Sequence, residues 1–174
     1  MTLMDLIKSS LEITGGTYDT LDEKEKSKLL SCAKMIYTEL SEEYVKLKHT
    51  EELIATDGRI PYVEFSKPVK DIVRVEKNGR RVPFELFPDC VRCKAEGNVK
   101  VTYVYHAPDP DLEDELILPP FFNVTAISNG VASEFFYRSG LNEEALFYKN
   151  RYDNAVLNLQ RRSASAYLQN RRFI

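Results

Sequence analysis

The chain has 174 residues, a formal net charge of −3, and ordinary shares of hydrophobic (43%) and charged (29%) residues for a soluble globular protein. That length suits one domain, with room for an inserted subdomain, and is enough to bury a core. The charge excludes a global pull towards DNA or an anionic membrane, so any nucleic-acid contact has to come from a local patch.

No apolar run approaches the length of a membrane-spanning helix. The first residues, MTLMDLIKSSLEIT, carry Asp5 and Glu12 and lack the cationic start, apolar centre and cleavage site of a signal peptide. The expectation is a protein made and kept in the cytoplasm. An odd number of cysteines argues against a disulfide framework.

Residues 1–48 read as helical. Leu3, Leu6, Ile7, Leu11 and Ile13, interrupted by Asp5, Lys8 and Glu12, predict an amphipathic helix of about three turns. TGGTYDT breaks it, because paired glycines punctuate. A second helix starts near Thr20–Asp22, where both Thr20/Glu23 and Asp22/Glu25 fit a capping box. Its buried stripe is Leu29, Ala33, Ile36, Tyr37, Leu40, Tyr44 and Leu47, at steps of three and four.

Residues 49–107 read as β. Asp57-Gly58, Asn78-Gly79 and Glu96-Gly97 recur as turn pairs. Asn-Gly between IVRVEK and RVPFELF is a strong hairpin signal, because both central positions need positive φ. VKVTYVYH places Val99, Val101, Tyr103 and Tyr105 on one face of a strand. Pro61, Pro68 and Pro83 confine their segments to edges, starts or bulges. A small antiparallel sheet or compact sandwich is expected.

Residues 108–119 form an acidic, proline-punctuated linker, and residues 120–162 a helical hairpin. One helix runs from about Pro120 to Ser139. Gly140 supplies a left-handed stop, and Asn142 caps the next helix, whose Glu143 and Glu144 suit the positive end of its dipole. Tyr148, Tyr152, Ala155 and Leu159 make the buried stripe of that second helix. Ala126, Gly130 and Ser133 are small at near-helical spacing, so another helix can approach closely. Gly130 within a helix costs about 1 kcal/mol against alanine. The order helices, sheet, helices gives an α+β fold: an antiparallel helical bundle with an inserted antiparallel sheet, followed by an extended tail over residues 163–174.

Few constellations carry chemistry. Cys90-Val91-Arg92-Cys93 is one CxxC pair, whereas a zinc site takes four ligands, and His49 and His106 are isolated. Residues three apart in a strand also face opposite ways. The cysteines therefore read as structural. A thiol catalyst using Cys90 or Cys93 with His106 is the enzymatic rival, but no motif selects it. GxSxG, P-loop and HExxH patterns are absent. Gly15-Gly16 reads as a plain turn. The run Asp109, Asp111, Glu113, Asp114, Glu115 does not match a calcium loop and reads as a solvated, mobile linker. Lining a channel, it would repel DNA phosphates. No cofactor, metal or catalytic residue is expected.

The tail QRRSASAYLQNRRFI carries Arg161, Arg162, Arg171 and Arg172 and no acid. It is open to three readings: a solvated terminus, a phosphate-binding arm, or an anchor that orders on a partner. Tyr167, Leu168, Phe173 and Ile174 favour the anchor, since arginine with aromatic groups is what interfaces favour.

The stretch NGVASEFFYRSGLNEEALFYKNRYDNAVLNLQ resembles a pattern in the neck proteins of tailed bacteriophages. There a small-residue helix ends GVAxE…xxG and is followed by xEEAxxYxxRYxxAL. The matching residues are Gly130, Val131, Ala132, Glu134, Gly140, Glu144, Ala145, Tyr148, Arg151, Tyr152 and Ala155. Upstream, DGRIPYVEF and DIVRVEKNG resemble the same proteins' DGxIxYxxF element and xIxxVxxxG hairpin, and VKVTYVYHAP resembles their exit strand. The family is the head–tail connector (adaptor) proteins, including the tubular-tail-protein-A type. The resemblance implies a structural, non-catalytic virion protein, a dodecameric ring docked beneath the portal in the neck. Its C-terminal tail would reach the portal. Its hairpin residues Gly130, Ala132, Gly140, Tyr148, Arg151 and Tyr152 would serve assembly. Partners would be the portal, further copies of itself, the next neck or tail protein, and packaged double-stranded DNA passing through without sequence-specific binding, with no membrane. A stopper or tail-completion protein one layer lower, and a nucleic-acid-binding module using the basic tail, are the alternatives.

Overall fold

The computed structural model describes residues 1–118 and 122–168, with side chains as far as residue 158. The chain divides into two units, one made of Met1–Val45 with Asp109–Ile174 and the other of Lys46–Pro108. Helix occupies the first and antiparallel sheet the second, an α+β arrangement.

In the first unit, α1 (Leu3–Thr14) opens with a capping box that the amphipathic stripe alone did not announce. The Thr2 hydroxyl accepts from the Asp5 N–H, and the Asp5 carboxylate accepts from the Thr2 N–H. α2 (Glu23–Glu39) uses Asp22 and Glu25 as its box, which settles the two possible registers. Thr20 instead closes a short 3₁₀ turn, Tyr18–Thr20. Leu29, Ala33, Ile36, Tyr37 and Leu40 are buried as the stripe requires. The helix does not reach Leu47, however. It widens into a π turn, Leu40–Tyr44, closed by the Val45 N–H on the Leu40 carbonyl, and Val45 is extended.

The acidic segment is no free linker. The Leu3 and Met4 N–H groups donate to the Asp114 and Leu112 carbonyls, and the Leu116 N–H donates to Met1. Residues 112–116 are thereby tied to the start of α1, where unpaired helix N–H groups need acceptors and the dipole favours acidic side chains.

The next helix, α3 (Val124–Arg138), starts later than expected, at an Asn123 cap that accepts from the Thr125 N–H. Every residue from Ile127 to Ser133 is buried, because α3 packs against α1, α2 and α4 and has no solvent stripe to spare. A fully buried Ile127 or Val131 contributes about 1.5–3 kcal/mol. Gly140, at φ +80°, stops the helix. The Gly140 N–H donates to Tyr137 and the Leu141 N–H to Phe136, a Schellman closure.

The last helix, α4 (Asn142–Leu168), begins one residue before the expected phase. The Leu141 carbonyl accepts the first helical bond, from the Ala145 N–H, so Asn142 is the first helical residue and not the cap. The buried side of α4 is Ala145, Tyr152 and Val156, with Tyr148 half-buried. Ala155 is only partly covered, and the side chain of Leu159 lies outside the described residues. Because α4 continues to Leu168, residues 163–168 are helical and not an extended tail.

The second unit has a four-stranded sheet in the order β1-β7-β3-β4 and a three-stranded sheet in the order β2-β6-β5. β1 is Lys48–Ala55, β2 Arg59–Pro61, β3 Val69–Lys77, β4 Arg80–Val82, β5 Phe84–Leu86, β6 Cys90–Cys93 and β7 Gly97–Tyr105. Asp57-Gly58 and Asn78-Gly79 all have positive φ, as two-residue hairpin turns require. At Gly58 the turn is also crowded, since a Cβ there would lie 2.5 Å from the Cys93 carbonyl oxygen. Pro83 separates β4 from β5, which pair in different sheets. Val99, Val101, Tyr103 and Tyr105 are buried as expected, but Thr102 and Val104 on the opposite face of β7 are buried as well.

Candidate functional site: the α3–α4 hairpin

The six hairpin residues divide by burial. A Cβ built on Gly130 would meet the Tyr152 ring at 2.9 Å and Ile36 at 3.2 Å, so the glycine lets α2, α3 and α4 close up. Ala132 is fully covered. Tyr148 stacks on Phe136 with ring centres 5.5 Å apart, and its hydroxyl donates to the Ile13 carbonyl at 3.0 Å. The Tyr152 hydroxyl donates to Glu39 at 3.2 Å. Burial, then the Glu39 charge and that hydrogen bond, push the phenol far above its ordinary value. These four residues hold the helical unit together. Gly140 and Arg151 are exposed, and the Arg151 guanidinium lies 4.4 Å over the Phe147 ring.

The outer side of the same hairpin escaped the periodicity argument. Tyr137 (66% exposed), Leu146 (59%), Phe147 (51%) and Leu141 (44%) all sit in solvent. Between the helices runs a groove of about 550 Å³ lined by Ser133, Glu134, Tyr137, Asn142, Leu146 and Lys149, with Ala145 also on its wall. The Ser133 hydroxyl donates to the Ala145 carbonyl and stitches α3 to α4 there. Glu134 pairs with Arg138 at 3.9 Å, and Lys149 with Asp153 at 3.4 Å. The sequence signal was present in these groups, which fall off the buried stripe of an amphipathic helix yet are large and apolar.

Charge is segregated along the chain. Residues 1–45 and 109–158 carry 8 Lys and Arg against 18 Asp and Glu, whereas residues 46–108 carry 12 against 9. Residues 159–174 carry four arginines and no acid. Arg161, Arg162, Tyr167 and Leu168 lie on the last turns of α4, where only the backbone is described. Arg171, Arg172, Phe173 and Ile174 lie outside the described residues.

Cys90 and Cys93 are buried at the two ends of β6, while His106 is exposed after β7. Among the described residues, no group of three or more His, Cys, Asp or Glu is placed to hold a metal ion, and no helix is long and apolar enough to cross a membrane. The arrangement is an exposed, largely apolar groove on an acidic helical unit. No protein-family model matches the chain, and a search of curated proteins finds no match.

Proposed function

We infer that the protein is a head–tail connector (adaptor) of a tailed bacteriophage: a non-catalytic structural protein that joins further copies in a dodecameric ring beneath the portal and extends the DNA channel. In this reading α1–α4 form an antiparallel bundle, and the β unit is an insertion that faces neighbouring subunits or the next neck protein. The C-terminal arginines and apolar groups anchor the ring to the portal.

The observation that carries the reading is the α3–α4 hairpin. The stretch that bears the resemblance is closed by a tight glycine contact inside, yet keeps Tyr137, Leu141, Leu146 and Phe147 in solvent outside. A cluster of large apolar groups on a charged helical body is the mark of a surface that another protein covers. A ring closes through heterologous contacts of that kind. Packaged DNA would pass through without sequence-specific binding, and no cofactor is required.

Native mass spectrometry of the full chain mixed with the portal ring from the same genome tests this. A second chain ending at Leu168 removes the last residues without cutting α4. The expected result is a closed ring on the portal with the full chain and none with the shorter one. Failure of both chains to bind the portal overturns the adaptor assignment; binding to the next neck component instead would place the protein in the stopper layer.

A further inference from the structure

We propose that Arg171–Ile174 of one copy dock in the α3–α4 groove of a second copy, so that the protein associates with itself head to tail. The inference does not depend on the neck assignment; in a ring, Arg171–Ile174 would seat on the neighbouring copy and leave Arg161, Arg162, Tyr167 and Leu168, on the last turns of α4, for the portal. It starts from the groove, which at about 550 Å³ is in the range of small-ligand clefts. That suits one or two large side chains and excludes a folded domain. The wall groups Tyr137 and Leu146 are exposed and largely apolar, and Glu134, loosely paired with Arg138 at 3.9 Å, also lines the groove. A matching segment needs apolar groups beside a cation. Arg171-Arg172-Phe173-Ile174 supplies both, and the surrounding unit is strongly acidic while the tail is purely basic. A guanidinium can bond the carboxylate and stack on the Tyr137 ring while Phe173 or Ile174 covers Leu146.

Geometry decides between a copy's own groove and another's. α4 is helical from Asn142 to Leu168. At 1.5 Å per residue, Leu168 lies about 28 Å along the axis from Lys149, the groove residue nearest to it. Ile174 is six residues beyond Leu168 and reaches at most about 20 Å back. The segment therefore falls short of its own groove, and docking takes place between copies. Such a contact is heterologous and propagates from copy to copy.

Complementation tests it without any portal. One full chain carries a changed tail, Arg171→Glu, Arg172→Glu and Phe173→Ala. Another carries a changed groove, Leu146→Glu, with Tyr137→Asp as an independent groove variant should the first fail to fold. Sedimentation velocity across a concentration series reads the size. The wild-type chain is expected to grow beyond a dimer, and each variant alone to stay monomeric, with association weakened roughly tenfold or more. An equal mixture of tail and groove variants is expected to form a one-to-one dimer and stop, because only one intact tail and one intact groove remain. A wild-type chain that is monomeric throughout overturns the proposal. So does a tail variant that associates like wild type, which would mean another surface is in use, or a mixture that stays monomeric. Loss of portal binding with complementation intact would remove the neck assignment and leave this contact standing.

Discussion

A Cβ placed on Gly130 would lie 2.9 Å from the ring of Tyr152, closer than real Cβ contacts come. The glycine is therefore needed for its lack of a side chain and not for an unusual backbone angle. Gly130→Ala gains about 1 kcal/mol in helix propensity but forces the Tyr152 ring and Ile36 apart, at about 1–3 kcal/mol. The net expectation is a loss of about 0–2 kcal/mol, read as a lower urea midpoint with an unchanged slope. A midpoint above wild type would show that the helices relax freely.

Two residues earlier on α3 the sign reverses. The Ser128 hydroxyl is fully buried and finds no hydrogen-bond partner among the described residues. Ser128→Ala removes an unsatisfied polar group and raises helix propensity. It is expected to stabilise the protein by about 0.5–1 kcal/mol. Loss of stability in the same urea titration would reveal a partner for that hydroxyl.

Glu39 accepts the Tyr152 hydroxyl, yet burial raises its carboxyl above the usual value, with the Glu43 and Asp153 charges adding to the effect and Lys149 opposing it. A raised acid binds its proton more tightly folded than unfolded. Its ionised form thus costs stability above the folded pKa, and that cost disappears as pH falls through the folded value to the unfolded one. Glu39→Gln keeps an acceptor for Tyr152 without the charge. It is expected to be more stable than wild type at neutral pH, with the difference shrinking towards about pH 4. A pH-independent difference would remove Glu39 ionisation as the cause.

Local signals in the sequence were legible where one residue type answers one backbone need. Asn78-Gly79 and Gly140 lie at the turn and stop that their positive φ angles serve, and α2 starts at the Asp22 box, one of the two capping boxes that the sequence offers. The alternation of β7 picks out four buried residues but misses Thr102 and Val104, which are buried on its other face. What failed depended on partners distant in sequence. The α2 stripe would continue to Leu47, but the chain is extended from Val45 and β1 begins pairing with β7 at Lys48↔Val104. The acidic segment looked solvated because its acceptors for the start of α1 are backbone carbonyls, which composition does not reveal. On α4 the buried stripe runs through Val156, where Ala155 was expected, because the neighbouring helices decide which positions are covered. The hairpin groove needs both helices in place, and on either one alone its trace is a large apolar group off the buried stripe, Tyr137 on α3 and Leu146 on α4.

In the β unit, the buried Tyr103 donates its hydroxyl to Glu51 at 2.6 Å. Burial pushes the Glu51 carboxyl up, but hydrogen bonds from Tyr103 and from the Ser66 hydroxyl and N–H outweigh it and hold the group below its ordinary value. A depressed acid contributes stability above its unfolded pKa and loses it as pH falls through the folded one. Tyr103→Phe is expected to cost about 1 kcal/mol at neutral pH, a modest figure because Glu51 is only part-buried. The cost should shrink in acid, once Glu51 is protonated in both proteins. Equal losses at both pH values would assign the effect to packing of the ring.

The cysteines provide the sharpest check on the enzymatic rival. Cys32, Cys90 and Cys93 are all free and buried, and burial raises the Cys32 thiol to about 11. A nucleophilic cysteine needs access and a stabilised thiolate, and burial denies access at all three positions. The native protein is therefore expected to react with a thiol-specific disulfide reagent at neutral pH far more slowly than free cysteine, and to release three equivalents only when guanidinium unfolds it. Slow native labelling that tracks stability across Gly130→Ala and Ser128→Ala would show that reaction proceeds through unfolding. Fast labelling of Cys90 or Cys93 in the folded protein, unaffected by those substitutions, would place a reactive thiol in the β unit, which also holds the exposed His106, and return catalysis to consideration.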